Sequence, residues 1–110
     1  MKNYFFLAFL FCSGALSAQS DLSTDTLIVR GNCEMCQKRI ETAAFGKGVK
    51  TASWSAETLQ LIVRYDARKT DVATIRSRVV ASGHDTDGEK APDTVYDRLP
   101  GCCRYDRAQE

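Results

Sequence analysis

Two cysteines two residues apart, Cys33 and Cys36 in "RGNCEMCQKR" (30–39), stand out as reactive chemistry in this sequence. A C-x-x-C pair can hold a soft metal ion, exchange electrons with another dithiol, or close a structural bridge. Thiolate sulfur suits Cu(I) and Hg(II), which accept two such ligands. The thiolate is the form that binds, and free cysteine has a pKa of about 8.5. A helix N-terminus lowers that value, and Lys38 and Arg39 add to the positive field. A second pair, the adjacent Cys102 and Cys103, lies near the end of the chain. Bridged to itself, it would form a strained, easily reduced ring. Bridged to Cys33 and Cys36, it would mask them. Left as thiols, Cys102 and Cys103 are candidate further ligands, and four sulfurs would suit Zn(II) or a Cu(I) cluster. The single histidine, His84, is a candidate third ligand.

These side chains meet only if the surrounding elements bring them together. "DTLIVRG" (25–31) alternates, with Leu27 and Val29 on one face, and ends at a glycine as strands often do. From Cys36 the period lengthens: Cys36, Ile40, Ala43 and Ala44 fall at helical spacing, and "GKG" (46–48) supplies the stop. Cys33 is therefore expected in a strand-to-helix loop and Cys36 in the first helical turn. Residues 49–66 read as a hairpin: Ala52, Trp54 and Ala56 alternate, "AET" turns, and Leu59, Leu61, Val63 and Tyr65 alternate again. "KTDVATIRSRVVASG" (69–83) predicts a second helix, capped by Thr70 or Asp71, striped by Val72, Ile75 and Val79, and ended by Gly83. "HDTDGEK" (84–90) holds a short last strand.

The resulting order, β-α-β-β-α-β, predicts an α+β ferredoxin-like sandwich with an antiparallel sheet and both helices on one face. In that plan the second helix ends at the same end of the sheet as the C-x-x-C loop, which puts His84 within reach of an ion held there. Residues 91–110 form an extension beyond the plan. Asp93 caps a turn or two of helix through Leu99, and Pro100 and Gly101 stop it. A helix of that length returns about 10 to 12 Å toward the loop, so geometry permits the second cysteine pair to reach the first.

The chain has 110 residues, 44% hydrophobic and 26% charged, which allows one small folded domain. Residues 1–18 read as a secretory signal: Lys2, the apolar run "YFFLAFLFCSGAL", then small residues around Ser17 and Ala18 for cleavage. Phe11 before Cys12 argues against a lipoprotein signal. Residues 19–24 read as a short linker. Cleavage leaves 14 basic against 14 acidic side chains. A near-zero charge argues against nucleic acid or an anionic membrane as partner. No second apolar run is long enough for a membrane anchor, so the product is expected to be exported, periplasmic or extracellular. No catalytic carboxylate pair or serine-histidine arrangement is visible, and an enzyme is not expected.

A first strand running into C-x-x-C, then "GV…W…LIVRYD…I…V…ASG", resembles the heavy-metal-associated domain family over residues 25 to about 88. That family includes copper chaperones, the amino-terminal modules of copper-pumping ATPases and the periplasmic mercury-binding protein. The resemblance implies Cys33 and Cys36 as metal ligands, Cu(I) first among ions with Hg(II) or Zn(II) behind it, and metallochaperone or scavenger activity by thiolate exchange. It also implies a transient partner, either a metal-transporting membrane protein or another metal-binding domain. The sequence departs from the family in two places before the tail. Arg30, Gly31 and Asn32 stand where the family usually has Gly-Met-Thr or Gly-Met-His, and Gly83-His84 stands where it often has Gly-Tyr. The rival readings are a thiol-disulfide oxidoreductase using Cys33 and Cys36, and a disulfide-stapled module without metal. Thioredoxins usually carry an aromatic residue before the first cysteine, and Asn32 takes that place here.

Overall fold

A computed structural model describes residues 22–107. The expected signal segment 1–18 lies outside the described residues. Strand β1 (Leu22–Ile28) begins within the stretch read as a linker, because Leu22, Ser23 and Thr24 find pairing partners in Asp66, Tyr65 and Arg64. Helix α1 (Glu34–Ala44) follows with Cys33 at its N-cap. The hairpin comprises β2 (Val49–Trp54) and β3 (Gln60–Asp66), and helix α2 (Val72–Ala81) comes next. Asp71 caps α2, its carboxylate accepting from the Thr74 amide at 2.8 Å.

The sheet is antiparallel with order β1-β3-β2. The expected fourth strand is reduced to one bridge, Val29 with Thr86, on the free side of β1. Thr86 and its neighbours turn too tightly for a longer ladder: the Thr86 amide donates to the Glu89 carbonyl at 2.8 Å. The connectivity is that of the ferredoxin-like plan. Leu27, Val29, Leu61, Val63, Tyr65 and Trp54 point to one face and are buried there with Ile40, Ala44, Ile75 and Val79 from the helices. Thr24, Thr26, Ile62 and Arg64 alternate to the opposite face and are exposed, as the two-residue period of a strand requires. Leu59 departs from its expected place in the strand. It sits at φ 65 in the hairpin turn, where Leu59 donates to the Ser55 carbonyl at 2.7 Å.

The extension forms a helical turn, α3 (Asp93–Tyr96), and a 3-10 turn over Gly101–Cys103. Pro92, not Asp93, is the N-cap of α3, and the Asp93 carboxylate instead accepts from Arg107. The extension is part of the core. Leu99, Cys103 and Tyr105 are buried in the same apolar cluster as the sheet and helices. Burying side chains of the Leu type stabilises a fold by about 1.5 to 3 kcal/mol each. The chain can approach this closely because of Gly83 (φ +108). A β-carbon there would lie 3.0 Å from Leu99 and in a backbone region that L side chains rarely adopt.

Candidate metal centre

The end of β1 and the start of α1 place the C-x-x-C pair. Val29 is anchored by donation from its amide to the Leu59 carbonyl at 2.8 Å, and Arg30 by donation to the Asp85 carbonyl at 2.9 Å. The chain then turns over the Trp54 ring. A β-carbon at Gly31 would lie 3.1 Å from the Cys36 β-carbon and 3.1 Å from the Trp54 ring. Trp54 is itself fixed, its indole N–H donating to the Val29 carbonyl at 3.0 Å. The indole thus packs beneath the loop.

Three sulfurs converge above this floor. The Sγ atoms of Cys33, Cys36 and Cys103 all lie within 4.8 Å of one another. Cys33 is partly exposed, while Cys36 and Cys103 are buried. All four described cysteines are free thiols. The backbone amides of Cys36 and then Met35, at the start of α1, hold the Cys33 thiol below its ordinary pKa. The Asn32 amide donates to the Cys36 sulfur at 3.2 Å. Burial first, and then the neighbouring Cys36 sulfur, push the Cys103 thiol up to about 12. The site therefore pairs a partly exposed thiol whose amide neighbours favour the thiolate with a buried thiol whose surroundings favour the protonated form.

The two halves of the vicinal pair differ. Cys103 turns its sulfur into the cluster. The Cys102 residue is exposed and offers its carbonyl, which accepts from the Asn32 side-chain amide at 3.2 Å and from the Cys33 thiol at 3.6 Å. Cys102 is not among the three clustered sulfurs, and neither is His84. His84 is fully buried, donates from Nδ1 to the Arg30 carbonyl at 2.8 Å, and stacks on Tyr105 with centroids 5.5 Å apart. Its Nε2 is buried with no hydrogen-bond partner. Burial holds the ring below its ordinary pKa of 6.5, so it is neutral at physiological pH. Met35 is exposed on the first turn of α1.

Sequence reasoning missed how the tail is held. The Tyr105 hydroxyl donates to the Gly83 carbonyl and accepts from the Asp85 amide, both at 2.8 Å. Arg107 grips the buried Asp85 carboxylate through two hydrogen bonds, Nε to Oδ2 at 2.9 Å and Nη2 to Oδ1 at 2.7 Å. It also donates to the Ala91 carbonyl and to Asp93, and its guanidinium lies 4.5 Å from the Tyr96 ring centroid. Tyr96 donates to the Tyr105 carbonyl. The signal in the sequence was an aromatic residue and an arginine in a short polar tail, which by themselves fit any frayed terminus.

Comparison of the sequence with family models and with curated proteins finds no match. Among solved structures, one of a CopZ metallochaperone matches with a TM-score of 0.56 and 30% sequence identity. The match spans 98% of that chain but 58% of this one, so the rest of this chain has no counterpart there.

Proposed function

Because the chain belongs to the heavy-metal-associated domain family, we propose that it binds a soft metal ion, Cu(I), as a metallochaperone or scavenger. The carrying observation is the convergence of Cys33, Cys36 and a third sulfur at the start of α1. Cys33 is the entry ligand: it is partly exposed and its amide neighbours favour the thiolate. Cys36 completes the pair from the first helical turn. Soft ions prefer such sulfur donors over the oxygen donors elsewhere on the surface. A partner's thiolate attacks the bound ion from the Cys33 side, a shared intermediate forms, and the ion moves on without being released to water. The partner is another metal-binding domain or a metal-transporting membrane protein, met transiently. Among the described residues no helix is long and apolar enough to cross a membrane. The apolar leader supports export before the protein acts.

The test is native mass spectrometry of the reduced protein offered Cu(I), Zn(II) and Hg(II) in competition. Retention of Cu(I) over Zn(II) is expected, with loss of tight binding in the Cys33→Ser, Cys36→Ser double variant and an unchanged circular dichroism spectrum. Unaltered Cu(I) affinity in that variant refutes the reading. One observation favours a second reading, a thiol-disulfide oxidoreductase: the lowered pKa of Cys33 at a helix N-terminus is also what a nucleophilic thiolate needs. Turnover of insulin disulfides at thioredoxin-like rates would put that reading first.

A further inference from the structure

The geometry points to a three-thiolate site whose third ligand, Cys103, is carried in by the C-terminal extension. This inference rests on the soft-metal reading above and deepens it. A two-residue C-x-x-C loop by itself offers two sulfurs. Here a third is held within 4.8 Å of both. A metal–sulfur bond is about 2.3 Å, and an ion in the plane of three such sulfurs needs them about 4 Å apart. The cluster meets that requirement with little movement. Each Cu–S bond that forms replaces a bond from Cu(I) to the donor ligand that delivered it. The copper stays Cu(I), the donor ligands leave, and any thiol proton displaced goes to solvent.

The extension is built to deliver that sulfur. The Cys103 amide donates to the Pro100 carbonyl at 2.8 Å, and the Tyr105 amide to the Cys103 carbonyl at 2.9 Å, which fixes the turn. On one side, the Cys102 carbonyl is tied to Asn32 and Cys33 of the loop. On the other side, Tyr105 and Arg107 fasten the chain to Gly83 and Asp85. Cys103 is thus pinned from both directions. Tyr105 and Arg107 are positioning residues that act through Cys103. A coordinatively fuller ion is held more tightly and exchanges more slowly, so the extension shifts the balance from hand-off toward retention.

X-ray absorption spectroscopy of the Cu(I)-loaded, reduced wild-type protein tests the coordination number without any substitution. Three sulfur neighbours are expected. Cys103→Ala is expected to leave two, with a shorter mean Cu–S distance, and to lower Cu(I) affinity at least about tenfold in a chelator competition, since even groups outside the ligand shell are worth that much. Arg107→Met should reproduce the two-sulfur spectrum with all three cysteines present, which a merely structural role for the arginine would not do. Two sulfurs in the wild type with unchanged affinity in Cys103→Ala overturn this inference and leave the soft-metal reading standing. A third sulfur lost in Cys102→Ser but kept in Cys103→Ala overturns the assignment of the ligand. A wild-type protein that takes up no Cu(I) overturns both.

Discussion

At the scale of single residues, the site depends on what is small as much as on what is reactive. A β-carbon at Gly31 would sit 3.1 Å from both the Cys36 β-carbon and the Trp54 ring, so a side chain there requires a neighbour to give by a few tenths of an ångström. The indole is buried and tethered by its N–H, which donates to the Val29 carbonyl at 3.0 Å. The loop is the softer partner and must give. Gly31→Ala is therefore expected to displace the Cys33–Cys36 loop and weaken Cu(I) binding roughly tenfold, which corresponds to about 1.4 kcal/mol. Thermal stability should change less than the affinity does. Affinity equal to wild type in a chelator competition would show that the loop tolerates the displacement.

At the scale of elements, each unit begins or ends at a residue with a definite job. The Asp71 carboxylate satisfies the Thr74 amide, one of the first four amides of α2 that have no partner inside the helix. Asp71→Ala should cost about 1 kcal/mol of stability, measured by urea denaturation, with Cu(I) stoichiometry unchanged. A loss within error of zero would mean that water replaces the cap fully. Helix α1 uses its N-terminus differently. Cys33 occupies the N-cap position, so the amides there favour a thiolate, and the element turns a structural need into chemical activation.

At the scale of the whole molecule, stability is tied to the junction between the ferredoxin-like unit and its extension. Burial pushes the Asp85 carboxyl up, but its bonds to Arg107 and the Ala91 amide, with the charges of Arg107 and Lys90, outweigh that and hold its pKa below the ordinary value. A carboxyl with a depressed folded pKa contributes fully above its unfolded value, about 3.9, and the contribution is lost as pH falls through the folded value. His84 acts earlier. Its folded pKa is depressed below 6.5 by burial, so below pH 6.5 the unfolded chain takes up the proton first and stability declines. The denaturation midpoint of the metal-free protein is expected to fall below about pH 6.5 and to fall again below about 4. His84→Phe should remove the first decline, and Asp85→Asn should shrink the second, to which the hydrogen-bonded Asp66 and Asp71 carboxylates also contribute. A wild-type midpoint that stays level from pH 7 to 5 would contradict the role given to His84.

Much of this molecule is a local matter and was legible in the sequence. The alternation of Leu61, Val63 and Tyr65, the helical spacing of Cys36, Ile40 and Ala44, the Asp71 cap and the stop at Gly83 follow from periods and caps that need no distant partner. The same local rules put Cys33 before α1 and Cys36 within it. Other features were decided by partners far away in the chain. Strand β1 reaches back to Leu22 because β3 offers backbone to pair with, and the last strand shrinks to the Thr86 bridge because the chain turns at once toward the extension. Which of Cys102 and Cys103 faces the C-x-x-C pair could not be read from two identical neighbours. The turn at Gly101–Cys103, the Tyr105 and Arg107 anchors and the buried Asp85 carboxylate decide it, and they exist only once residues some 20 positions apart are packed together. His84 shows the same division: its place after α2 is local, but its burial against Tyr105 and the Arg30 carbonyl, apart from the sulfur cluster, is set by the tail that packs over it.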